Sequence, residues 1–389
     1  MGSRPRPVDP SFPRATRRGG GRKRRWLAIA AALLALVPQA SFAAEVADAA
    51  YAPINRNLAT AYAVPRFAAL SKAASRMRAA AEALCRARSG AALATAKARF
   101  HDTMDAWMGV QHLGFGPAEL FSRAHRIYFW PQARGKIAGA VDKLLAGGAI
   151  PPSARMTTAS AAIQGLPALE HLLFDRTAIL MRDDRAGKRD CALLLAVTAN
   201  IQSIAKGLAE DWAGGRVDFK RVVSNPGPDN LYYKHHQEAA LAFFQSFHDG
   251  LEAIVATRLR PLIGATPDAD RPRLAESRAS GRSTRNIVVS LQAIAALYTG
   301  DGKTKAGFSQ LVRKRGDKKL DALMRRAFKL TIANARSIGK PLEAALRDKR
   351  LRPRVTKLLL QVRALKQIVR TRLAPAIGLA VGFNALDGD

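Results

Sequence analysis

GLPALEHLLF, residues 165–174, reads as an apolar helix interrupted at its centre by Glu170 and His171. At helical spacing Glu170 lies four residues after Leu166, three before Leu173 and four before Phe174, so it shares their face. That face points into a core, where an unpaired carboxylate is costly or stays protonated. An acid in such a place is either neutralised inside the bundle, by a cation or backbone groups, or held at the wall of a site.

The same periodicity extends outward in both directions. It predicts helices over about 53–88, 91–113, 126–145, 159–174, 190–212, 231–259, 284–298, 318–336 and 353–373. Only residues 216–223 alternate in the manner of a strand. The fold class is therefore all-α, built from helical bundles. A chain of this length exceeds the usual size of one core, so two bundles are expected, over 44–223 and 224–389. The segment SNPGPDN (224–230) suits the connection between them. Residues 262–283 form a long, polar, irregular stretch of a kind that is often functional or disordered. SLQAIAALYT (290–299) aligns with GLPALEHLLF as a weak internal repeat and carries Ala295 and Ala296 where the first copy has Glu170 and His171. The helix can then pack without the acid.

The amino terminus has the form of a cleavable signal peptide. RKRR (22–25) precedes twelve apolar residues (26–37), and Ser41-Phe42-Ala43 supplies a cleavage pattern with Ala44 as the mature start. Twelve apolar residues fall short of the roughly 20 that span a bilayer. A periplasmic location follows, with an uncleaved inner-membrane anchor as the alternative. Arg24-Arg25 is compatible with twin-arginine export, and no cysteine is placed for lipid modification.

The chain holds 63 basic and 30 acidic residues. Residues 1–43 contain nine basic and one acidic, leaving a net charge of +25 on the remainder. Residues 303–372 alone carry 22 basic residues against Asp317, Asp321, Glu343 and Asp348. An export signal, 6% aromatic content and the lack of a nucleic-acid-binding motif argue against nucleic acid as a partner. A basic stretch of this kind is ordinarily a solvated face; its functional readings are contact with an anionic membrane surface or attraction of an anionic chelate. The two cysteines, Cys85 and Cys191, are expected to form a disulfide in an exported protein.

WMGVQHLGFGPAEL (107–120), RIYFWP (126–131), GLPALEHLLF (165–174), RSTRNI (282–287) and GFNALDGD (382–389) together resemble the imelysin-like family of bacterial envelope proteins. That family is named after an insulin-cleaving membrane peptidase and includes iron-regulated periplasmic proteins. The resemblance implies two helical bundles with a pseudo-repeat and a site at their junction. It also implies a Gly-x-His-x-x-Glu motif whose His and Glu bind a divalent metal such as iron or zinc. Here the motif falls on Gly165, Pro167 and Glu170. Proline has no ligand atom, and His171 points about 100° around the helix from Glu170. The family's metal pair therefore cannot form in the same way, and no HExxH or Ser-His-Asp order replaces it.

Candidate partners for Glu170 come from the other motifs. Arg126 and Trp130 are one turn apart if helical, and Arg282 and Arg285 sit at a helix start, where an anion also meets free N–H groups. His112 is the best remaining histidine for a metal, alongside Glu170. His235 with Glu238 and His101 with Asp105 have one-turn spacing of the kind common on helix surfaces. Trp107, Tyr128, Phe129 and Trp130 read as core aromatics. The expected function is binding of a metal or small anionic ligand at the junction of two bundles. The alternatives are a metallopeptidase, and a structural envelope protein that uses its basic region on anionic lipid.

Overall fold

The computed structural model describes residues 46–132, 135–303 and 305–380. The signal-peptide segment and the terminal GFNALDGD motif lie outside these residues. Among the described residues there are sixteen α-helices and no strand. They are α1 (Ala52–Asn57), α2 (Val64–Ala87), α3 (Gly90–Met108), α4 (Arg123–Ile127), α5 (Lys136–Gly147), α6 (Gly165–Glu170), α7 (Thr177–Leu180) and α8 (Arg185–Ala213). There follow α9 (Phe219–Ser224), α10 (His236–Ala253), α11 (Ser283–Thr299), α12 (Phe308–Lys314), α13 (Lys318–Ser337), α14 (Leu342–Ala345), α15 (Arg352–Ile368) and α16 (Ala374–Ala376). The fold is all-α.

Two sequence expectations are corrected. Residues 216–223 are not a strand: Asp218 accepts a hydrogen bond from the Arg221 amide and caps α9. The helix expected over 126–145 is broken, with α4 ending at Ile127 and α5 starting at Lys136. Pro131 lies in the gap, after a cis Trp130–Pro131 bond; proline can neither donate to a helical ladder nor let its predecessor stay helical.

The first half is organised on α8, whose Leu194, Val197, Ile201, Ala205, Leu208 and Trp212 recur at helical spacing and are buried. Helix α2 packs along it through residues that include Phe67, Leu70, Ala74, Met77, Ala81 and Leu84. A Cys85–Cys191 disulfide ties the two helices, with Cα atoms 5.7 Å apart, and restricts the unfolded chain. Helix α8 is long and apolar enough to cross a bilayer, but it is the central core helix here.

In the second half α10, α11, α13 and α15 pack around Phe243, Phe247, Leu291, Ile294, Phe328 and Val362. The core runs on across residue 224, since Phe243 of α10 meets Phe115 edge-on at 5.1 Å and tilts against Trp212. Single π-helical turns follow four helices, at Leu58–Ala63, His171–Asp175, Ile254–Leu259 and Val369–Leu373. Such turns widen the backbone ladder and recur at functional sites. The second and third border a cavity of about 690 Å³.

Candidate functional site

Helix α6 starts at Gly165 with φ +76°, and a Cβ there would lie 2.5 Å from the carbonyl oxygens of Arg126 and Ile127. Only glycine tolerates both the left-handed backbone and that approach. The contact presses α6 against the chain leaving α4, and so fixes two walls of the cavity relative to each other. Gly165→Ala should destabilise the protein by more than about 1 kcal/mol, read from urea unfolding; an unchanged midpoint would contradict this packing. Pro167 sits in the first turn, where no amide hydrogen is needed.

The cavity encloses about 690 Å³ and draws its walls from distant parts of the chain. Tyr128, Trp130 and Pro131 form one side, and Pro167, Glu170, His171 and Asp175 another. Ala256 and Thr257 of the third π turn, residues from the segment 273–279, Glu343 of α14 and Arg347 just after that helix also line it.

Glu170 is the acid of this wall. Its Oε1 accepts hydrogen bonds from the Ser280 amide at 2.8 Å and the Ser280 hydroxyl at 2.6 Å. No guanidinium reaches it among the described residues. Burial pushes its carboxyl up to about 7, outweighing the two Ser280 hydrogen bonds, with Asp175 and Glu276 adding to the rise. Both protonation states are therefore accessible near neutral pH.

His171 is held from both sides, Nε2 against Asp142 and Nδ1 against Asp175, each at 3.0 Å. Burial opposes its charge, but those two carboxylates together raise its pKa above the ordinary histidine value. Both ring nitrogens are engaged by carboxylates, which favours the protonated ring and leaves no lone pair for a metal ion. Three exposed arginines, Arg273, Arg278 and Arg347, line the cavity alongside the acids Asp175 and Glu343. None has an acidic partner among the described residues.

Behind the wall lies a buried polar network. Arg258 in the third π turn donates to Glu276 Oε1 at 3.0 Å, Ser290 Oγ at 3.0 Å and Gln111 Oε1 at 2.7 Å. Asn286 Nδ2 bridges Glu276 and Ser277 at 3.1 Å each, and Ser277 meets the Tyr128 hydroxyl at 3.3 Å. These bonds pin the segment that carries Ser280, and through it they orient Glu170.

Several expected partners of Glu170 are placed elsewhere. Arg126 is buried against Gln164 and Asn200, the latter at 2.9 Å. It shares no helical face with Trp130 because α4 ends between them; Trp130 alone lines the cavity. Arg282 and Arg285 both bind Asp105, and Arg282 also meets His101 Nδ1 at 3.1 Å. Their charge is spent on that acid instead of on Glu170. His112 is buried with Nε2 2.6 Å from the Tyr62 hydroxyl, and burial, helped by Arg66, pushes it down to about 3. It lines a separate cavity of about 400 Å³, so the pairing of Glu170 with His112 on a metal is corrected. Glu238 accepts from the His235 and Lys234 amides and closes the start of α10.

Among the described residues, no group of three or more His, Cys, Asp or Glu side chains is arranged to hold a metal ion. At the motif the donor set is one carboxylate already receiving two hydrogen bonds, a proline, and a histidine with both nitrogens engaged. These residues do not fit a protein-held metal centre. Ser280, Arg258 and Glu276, and the arginines of the cavity mouth, were not marked by any sequence motif; Asn286 lies in the RSTRNI motif but was not singled out there.

The structure thus defines an all-α protein with a ligand-sized, acid-bearing cavity walled by segments from across the chain. The chain belongs to the imelysin family, whose model matches residues 63–369. Its fold is similar to that of an imelysin-like protein from Psychrobacter arcticum 273-4, at 17% identity and a TM-score of 0.71, over 87% of this chain and 99% of that one. It is also similar to a proposed iron-regulated protein A precursor from Parabacteroides distasonis ATCC 8503, at 15% identity and a TM-score of 0.67, over 84% and 95% of the two chains. No curated protein matches the sequence.

Proposed function

We propose that this is an exported binding protein that captures a small polyanion, a polycarboxylate or its metal chelate, in the cavity at Glu170. The observation that carries the reading is the charge at the cavity: Arg273, Arg278 and Arg347 stand without acidic partners, beside a wall acid that can be neutral near pH 7. A protonated Glu170 donates a hydrogen bond to a ligand oxygen where an ionised one would repel it. The excess positive charge of the chain draws anions toward the cavity. A chelate brings its own metal donors, which suits a site whose side chains do not form a metal shell. It also fits an iron-linked role of the kind named for one structural relative. The signal-peptide pattern and the disulfide support an oxidising, periplasmic setting.

Calorimetry with citrate, ferric citrate and ferrous ion tests the proposal. Citrate and its chelate should bind and ferrous ion alone should not. Arg278→Ala and Arg347→Ala should each weaken citrate binding about tenfold, the loss of one charge-assisted hydrogen bond. Ferrous ion binding without citrate, or citrate binding indifferent to both arginines, would overturn the assignment.

A further inference from the structure

We propose that the outer face of the α13–α15 layer docks on an anionic bilayer surface. These two helices pack side by side, with Asn334 of α13 donating to Gln361 Oε1 of α15 at 2.8 Å. Helix α13 contains one acid, Asp321, which is buried and bonded by Tyr298, Ser309 and Arg325. Helix α15 and the turn Val369–Leu373 after it contain none. Most of the basic side chains on the two helices are exposed and have no acidic partner among the described residues.

Two large apolar side chains break this cationic surface. Leu330 is 51% exposed and Leu360 is 58% exposed. Leu330 follows Lys329 and lies one turn from Arg326; Leu360 lies one turn from both Lys357 and Arg363. Leu330 thus shares its side of the helix with Arg326, with Lys329 at its flank, and Leu360 shares its side with Lys357 and Arg363.

A bilayer interface rewards both components, because lysine and arginine reach lipid phosphates while leucine enters the acyl boundary. Nucleic acid rewards only the cations. A single-stranded chain would also ask for stacking aromatics, and the exposed large hydrophobic side chains on these two helices are leucines. Charge complementarity and the two exposed leucines therefore favour a membrane surface over a polynucleotide.

The test uses the chain from Ala44, which contains every buried residue of the core among the described residues and omits the basic, apolar segment before it. Binding is measured by flotation with vesicles of phosphatidylcholine alone and of phosphatidylcholine with an equal amount of phosphatidylglycerol. The expected result is binding to the anionic vesicles only, weakening steeply with salt. Neutralising Arg326, Lys329, Lys357 and Arg363 to glutamine should lower the partition coefficient about fivefold per site, on the order of 100-fold or more together. Leu330→Ser with Leu360→Ser should lower it while leaving the salt dependence unchanged. All six positions are exposed, and circular dichroism would verify that each variant is folded. Retained binding in the four-site variant, equal binding by the leucine variant, or tighter binding to DNA than to the vesicles would overturn the proposal. Citrate binding reads the cavity independently, so failure here leaves that function standing.

Discussion

Replacing Arg258 by methionine should destabilise the protein by about 3–5 kcal/mol, the typical cost of removing one partner of a buried ion pair. Arg258 and Glu276 have side chains only 4% and 1% exposed, and the pair is drawn together at 3.0 Å. Alone, Glu276 would keep only the Asn286 hydrogen bond and would have to take up a proton or admit water. Ser290 would lose its guanidinium donor and Gln111 the hydrogen bond to its carbonyl. A second substitution, Glu276→Gln, removes the stranded charge and should recover much of the loss in the double variant. Urea unfolding of both singles and the double gives the coupling energy. A single variant that costs less than about 1 kcal/mol would show that the network is not what holds the wall.

Glu170→Gln should act in the opposite direction and stabilise the fold at alkaline pH. The carboxyl's folded value of about 7 lies above its ordinary 4.5, so folding takes up a proton between those limits. The slope of stability against pH follows the protons bound by the unfolded minus the folded state, and is therefore negative in this window. Glu170 costs nothing below the unfolded value. Its cost grows as pH rises from about 4.5 and is complete above about 7, reaching up to about 3 kcal/mol. Glutamine keeps an acceptor for Ser280 and carries no charge, so the variant should match wild type at low pH and exceed it above neutrality. A group that weakens the fold at working pH is most simply retained for what it does in the cavity. Equal stability of the two proteins at pH 8 would mean that Glu170 is already neutralised.

The fold class was legible because helical periodicity dominates the chain, and Glu170 was legible because an acid on an apolar face conflicts with its neighbours. The failures share one physical origin. Spacing along the chain reports a local face and says nothing about which distant group will arrive there. Ser280 binds Glu170 across 110 positions, and Arg282 finds Asp105 across 177. Glu276, Ser277 and Ser280 lie in the polar stretch 262–283, where such residues look solvent-facing. They are buried or half-buried because the third π turn and α11 close over them. Pro131 was the local sign that helix 126–145 must break, and the break is what separates Arg126 from Trp130.

The most direct test of the pocket is citrate affinity measured by calorimetry from below to above pH 7, for wild type and Glu170→Gln together. Wild-type affinity should fall at least about tenfold as Glu170 ionises, while the variant, which lacks that carboxyl, loses this component of the pH dependence. Superimposable profiles would contradict the account, because a carboxylate in contact with the bound anion must register its own charge.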